Sequence, residues 1–329
     1  MTDSDPRQDP LGDLIRTVGK RPAPSEEDRR RVFAAARDAW QAKVRARSRR
    51  RWIYASAASI AAAAAVGIGL QSLLEPGAPA ATVVRLAGPV EIRPTGEDAW
   101  RALDTAYASV SAGARVRTAS EGRVSFDLRG VSLRVDRETA IVFDSRDRVT
   151  LEEGTLYVDS GVGRGNARIE VATPYGVLED IGTQFEVRSA ESTLRLRVRE
   201  GRVRLEPRNL PDAVESAAGE EVALTPSGEV RRRDFPPVHA DWAWAEALAE
   251  TPDLDGRTAH DLLRWVARET GRRLVFADAV AELRARNAVL GGRGPYRALS
   301  PLEVLEIAVG TADGLEYTLN GDVLLVRGR

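Results

Sequence analysis

The chain owns two imidazoles, His239 and His260, and no cysteine. Nucleophilic catalysis needs a nucleophile, a base within hydrogen-bond reach of it and a group that orients the base. His239 lies in a proline-rich stretch after Pro236 and Pro237, and His260 stands beside Asp261 where a helical pattern begins. That neighbour pair reads as the polar start of a helix, not as half of a triad. Two distant histidines without cysteine or a spaced carboxylate partner make a poor zinc site. Gly161-Val162-Gly163-Arg164-Gly165 has the look of a phosphate-binding glycine run. It falls between β segments with no helix after it, so no helix-end N–H groups follow to hold phosphate, and it reads as a loop. Arg231-Arg232-Arg233, just before the Pro-Pro pair, reads as a solvated charge run. The expectation is a protein that is not an enzyme, with no catalytic, cofactor-binding or metal-ligating residues.

What the chain could do instead follows from its partition. Residues 52–74 are an apolar run of about 23 residues, rich in alanine and free of charge, which as a helix reaches about 34 Å, enough for a bilayer core. Arg45, Arg47, Arg49, Arg50 and Arg51 precede it, whereas Glu75 and Pro76 follow. The positive-inside rule then places the N-terminus in the cytoplasm and the rest across the membrane. A cleaved signal peptide fits less well, because about 50 residues precede the apolar stretch. The formal net charge of −1 conceals a basic arm, about +6 through residue 51, and an acidic remainder of about −7. Such an arm suits the anionic lipid of the cytoplasmic leaflet; it shows no recognition helix for direct nucleic-acid binding.

Within the arm, Ser25-Glu26-Glu27-Asp28 reads as a helix start, followed by Val32, Phe33, Ala36, Ala39, Trp40 and Val44 at three- and four-residue steps. The amphipathic face of Val32, Phe33, Ala36 and Trp40 is the candidate surface for lipid or for a cytoplasmic partner.

Beyond the apolar run the period changes to two. Val124, Phe126 and Leu128, then Val131, Leu133 and Val135, then Leu194, Leu196 and Val198 alternate with polar residues, which predicts an all-β domain over residues 82–230. Glu121-Gly122, Glu153-Gly154 and Glu200-Gly201 recur between the apolar alternations and read as strand reversals or solenoid corners. A linker over 231–253 carries Trp242 and Trp244, placed to pin it to a neighbouring domain. Residues 254–329 read as a small α+β domain. Thr258 opens one helix, bearing Leu262, Leu263, Val266 and Ala267 and ending at Gly271. A strand over 273–276 and a short strand over 288–290 follow, then a second helix from Ser300-Pro301 to Val309 and a terminal hairpin around Asn320-Gly321-Asp322. The fold class is therefore a single-pass membrane protein with an all-β, solenoid- or sandwich-like outer domain followed by a small α+β domain.

The β segment carries ordered motifs. Thr173-Pro174-Tyr175-Gly176, then Gly182-Thr183-Gln184-Phe185-Glu186-Val187, then Val198-Arg199-Glu200-Gly201-Arg202-Val203 resemble the "T-P-x-G … G-T-x-F-x-V" and "V-x-E-G-x-V" signatures of FecR-type transmembrane sensors. Val149 to Val158 and Ala218-Gly219-Glu220 are similar to flanking motifs of that family. The signature residues are Thr173, Pro174, Gly176, Gly182, Thr183, Phe185, Val187, Glu200 and Gly201. Residues 254–327 resemble the short N-terminal module (STN) of secretins and TonB-dependent receptors. The resemblance implies a protein of the bacterial inner membrane with its bulk in the periplasm. It implies a TonB-dependent receptor or another envelope protein as periplasmic partner, and an extracytoplasmic-function sigma factor as cytoplasmic partner, regulated by contact. The family's N-terminal region is longer and carries paired tryptophans, whereas this arm has Trp40 alone. A structural or glycan-binding envelope protein that uses its arm only as an anchor is the competing reading.

Overall fold

The computed structural model describes residues 79–104, 108–161, 168–290, 299–311 and 314–329. The arm, with Val32, Phe33, Ala36 and Trp40, the apolar run and most of the glycine-rich stretch after Gly161 lie outside the described residues. Among the described residues no helix is long and apolar enough to cross a membrane.

Period-two alternation produces what it predicts, fifteen strands from Pro79 to Asp234 joined in one sheet system. Their ranges are β1 Pro79–Ala87, β2 Val90–Arg93, β3 Arg101–Ala102, β4 Ser109–Ser111, β5 Arg115–Thr118, β6 Arg123–Leu128, β7 Val131–Val135, β8 Ala140–Phe143, β9 Arg148–Asp159, β10 Glu170–Thr173, β11 Gly176–Ala190, β12 Thr193–Pro207, β13 Val214–Ala217, β14 Glu220–Leu224 and β15 Val230–Asp234. Three long strands organise the system, because each changes neighbours along its length. The first part of β9 pairs with β8 and β10, and its second part with β7 and β11. Likewise β11 and β12 pair with each other throughout, but β10 and β13 flank one end of the pair while β9 and β14 flank the other.

The result is two sheet halves that share β9, β11 and β12 and enclose one apolar core. Phe126 of β6 and Phe143 of β8, one from each half, meet edge to face at 4.9 Å inside it. The arrangement is sandwich-like. A solenoid of stacked parallel coils does not form, since within this system only β9 and β10 run parallel.

The shared strands bend where the glycines stand. Gly201 has φ 77° and faces a bulge at Gly182, and a Cβ on it would lie 2.7 Å from the Gly182 carbonyl oxygen. Glu153-Gly154 and Glu200-Gly201 are therefore corners inside continuous strands and not reversals; Glu121-Gly122 alone sits in a turn, between β5 and β6. The arginine run Arg231-Arg232-Arg233 is also not loose charge. It forms the edge strand β15, with ion pairs to Glu229, Glu220 and Glu221.

After β15 comes a 3-10 turn, Ala240–Trp242, and a short helix α1, Ala243–Glu246. The C-terminal module follows with helices α2 Ala259–Glu269, α3 Ala279–Asn287 and α4 Pro301–Thr311, and strands β16 Arg273–Phe276, β17 Leu315–Asn320 and β18 Val323–Gly328 in the order β16-β18-β17. Thr258 caps α2 in a capping box with Asp261, and Ser300 and Glu303 exchange the same kind of bonds at the start of α4. Helix α3 is absent from the expected order, and the short strand expected at 288–290 is an isolated bridge between Thr258 and Val289. The reason is visible in α3. Its exposed Val280 and Leu283 and buried Ala281 and Ala285 leave no clean apolar stripe to read.

Candidate functional site

Both histidines are engaged locally in the fold. His239 accepts a hydrogen bond from the Asp241 backbone N–H and caps the 3-10 turn. His260 stacks on Phe276 with ring centres 5.7 Å apart, and burial together with Arg286 and Arg264 holds its pKa below the ordinary value. Its neighbour Asp261 is committed to the cap.

The signature residues hold the β domain in shape. Thr173 ends β10, and its hydroxyl donates to the Gly176 carbonyl at 2.9 Å and accepts from the Tyr175 and Gly176 amides at 3.2 Å, closing the turn around exposed Pro174. Phe185 and Val187 point into the core. Gly182 and Thr183 form the bulge, where the Thr183 amide donates to the Ser160 hydroxyl at 2.8 Å. Gly201 makes the bend of β12. Glu200 differs from the others, since its carboxylate pairs with Arg268 of the C-terminal module.

Glu200 leads to a buried joint that sequence reasoning missed. Alternation puts Leu194, Leu196 and Val198 in the core, so Arg195, Arg197 and Arg199 share the opposite face of β12. Register then aligns a row across six strands. Arg134 lies opposite Tyr157, Tyr157 opposite Glu186, Glu186 opposite Arg197, Arg197 opposite Glu221, and Glu221 opposite Arg233. A solvated sheet face would leave such a row in water. Here the 3-10 turn, α1 and the end of α2 cover it as far as Glu221, while Arg233 on the edge strand stays exposed.

Trp242 is fully buried against Tyr157 and Phe235, with ring centres 5.8 and 5.5 Å apart. The Trp244 indole N–H donates to Glu186 at 3.0 Å. The two tryptophans thus pin the linker to the β domain. Arg197 donates to Glu221 at 2.6 Å, lies within 2.9 Å of Asp241, and covers the Phe235 ring at 3.8 Å.

The end of α2 closes the joint. Arg134 donates to the Ala245 carbonyl and to Glu269, both at 2.8 Å. Arg199 donates to the Pro237 and Glu269 carbonyls at 2.8 Å and to the Glu246 carboxylate at 2.5 Å. Arg268 reaches back to Asp159 at 2.5 Å, and Asp159 also accepts from Gln184 at 3.0 Å. The chain can only turn so closely because residue 271 is glycine. Its φ is 65°, and a Cβ there would lie 2.3 Å from the Pro237 carbonyl oxygen.

The electrostatics reflect a desolvated network. Burial pushes the Asp159 carboxyl up, but Arg268 and Arg134 outweigh it and hold the group below its ordinary value. For Glu269 burial wins over Arg134 and Arg199, and its carboxyl is raised. Burial also pushes the Tyr157 hydroxyl up, and that oxygen has no hydrogen-bond partner. One signal for the joint stood in the sequence, the arginines at every second position of β12. Their partners on β7, β9, the linker and α2 are too distant in the chain to be matched by pattern.

Comparison with known proteins adds three findings. Residues 114–204 match the family described as FecR protein. That span contains the Thr173–Gly176, Gly182–Val187 and Val198–Val203 motifs, and it stops before Ala218-Gly219-Glu220. No curated protein matches the chain. Two crystal structures, each of a candidate anti-sigma factor from Parabacteroides distasonis ATCC 8503, align at 16% identity over 65% of this chain and 98% and 99% of theirs, with TM-scores of 0.34 and 0.35. The firm relationship is the FecR family match of the β domain between Ala114 and Arg204.

Proposed function

We propose that the chain is a non-catalytic, FecR-like signalling protein of the bacterial inner membrane that regulates an extracytoplasmic-function sigma factor by contact. The FecR match over residues 114–204 carries this reading. The arginine-flanked apolar run at 52–74 supports a single membrane crossing, N-terminus in the cytoplasm and β domain and STN-like module in the periplasm. Under this reading the arm docks a sigma factor through Val32, Phe33, Ala36 and Trp40. The module meets a TonB-dependent receptor or another envelope protein, and the buried joint ties the module's state to the β domain.

The test is co-purification of the full chain from its native cells, wild type against Phe33→Asp/Trp40→Asp. A sigma factor recovered with the wild type and lost from the variant is the expected result. Recovery of no sigma factor with either would overturn the regulatory reading and leave an anchored envelope protein.

A further inference from the structure

A cleft of about 740 Å³ opens beside the joint, between the β domain and α2. That size suits a ligand of several residues' side chains far better than a single small ion. Its wall is rich in arginine. Arg199 and Arg268 are engaged in the joint, but Arg257, Arg264, Arg272 and Arg273 also line the cleft. Among the described residues none of these four side chains enters an ion pair. Arg257, Arg264 and Arg273 are exposed. The Asp261 carboxyl is held low chiefly by its hydrogen bonds with Thr258, with Arg257 a smaller contributor. Arg272 is half-buried, and its Nε is shielded from solvent without a hydrogen-bond partner. A buried N–H left unsatisfied is costly, so the wall is built to gain from an acceptor. Glu200 and Asp261 are the acids lining the cleft, and both are committed, to Arg268 and to the α2 cap. Trp265 adds an aromatic wall to the same cleft.

We infer that this cleft binds an acidic peptide segment of a protein partner. Its aspartate or glutamate side chains would meet Arg257, Arg264, Arg272 and Arg273, and an apolar side chain would lie against Trp265. Arginine forks match carboxylates in two parallel hydrogen bonds, which gives such a segment both affinity and register. The occupant would rest against the Glu200–Arg268 pair, so its binding touches the joint directly. The inference goes beyond sigma-factor regulation and needs no sigma factor for its test.

The experiment selects a randomised peptide library displayed on phage against the purified full chain, then measures enriched peptides by fluorescence anisotropy. The expected result is enrichment of acidic, apolar-containing peptides whose affinity falls at least about tenfold in Arg264→Glu/Arg273→Glu. The control variant Arg231→Glu/Arg232→Glu, on the exposed edge strand, should bind as the wild type does. Lack of enrichment, enriched peptides without acidic bias, or acidic peptides indifferent to the cleft variant would each overturn the assignment. So would binding of inorganic phosphate that displaces the peptides and is lost in the same variant, which would make the cleft a small-anion site.

Discussion

Arg134 and Glu269 stand 135 positions apart in the chain and meet at 2.8 Å, their side chains 1% and 7% exposed. One belongs to β7 in the β domain and the other to the last turn of α2 in the module. A pair so far out of water gains its attraction only against a large desolvation cost, so it is weak evidence of net stability and good evidence of a specified geometry. Removing one partner strands the other charge. Arg134→Met or Glu269→Leu is therefore expected to cost about 3–5 kcal/mol each. The double variant should cost much less than their sum. Urea denaturation followed by tryptophan fluorescence measures all three, and additive single-variant losses would show the two side chains to be uncoupled.

Trp242 is the largest fully buried side chain of the described residues and bridges Tyr157 and Phe235. Its truncation to alanine is expected to cost about 3–5 kcal/mol. The loss should fall on the joint and leave the β core standing. Limited proteolysis of Trp242→Ala should cut first between Asp234 and Leu254, releasing an intact β domain. Uniform digestion across β6 to β12 would instead place Trp242 in the folding of the whole unit.

Gly271 tests the same closure from the backbone. With φ at 65° and no room for a Cβ against the Pro237 carbonyl, Gly271→Ala should loosen the α2 end by roughly 1–3 kcal/mol. Faster amide exchange at 268–274, with strands β9 and β11 unchanged, is the expected signature. Wild-type exchange throughout would show that the turn relaxes without strain.

Asp159 gives the joint a pH dependence with a definite sign. Its carboxyl is held below its ordinary value of 3.8, so the unfolded chain takes up the proton first as pH falls. The stability it contributes is complete above that value and is lost as pH descends through the lower folded value. Thermal melts of wild type and Asp159→Asn should differ at neutral pH, begin to converge as pH falls below 3.8, and coincide only once it has passed the lower folded value. A difference that persists into stronger acid would assign the effect to packing and not to charge.

Much of this molecule is written locally. Leu194-Arg195-Leu196-Arg197-Val198 declares a strand with one buried face, whatever its partners are, because side chains alternate across a pleat. Thr258 with Asp261, and Ser300 with Glu303, declare helix starts because capping acts within four residues. Helix α3 was not legible, since its buried alanines and exposed Val280 and Leu283 form no stripe.

The sequence by itself determined the strand-rich β domain, the two capped helices and closing hairpin of the module, and the order of the FecR-like motifs. These depend on periodicity and short-range hydrogen bonding. Only the tertiary structure decided that Glu153-Gly154 and Glu200-Gly201 bend continuous strands, and that Arg231-Arg232-Arg233 is an edge strand. It alone turned the polar face of β12 inward beneath Trp242 and α2. Alternation states that Arg197 and Arg199 leave the core, but it cannot state what then covers them. That cover comes from residues tens of positions away, and the desolvated charges it traps acquire partners only when the chain has closed.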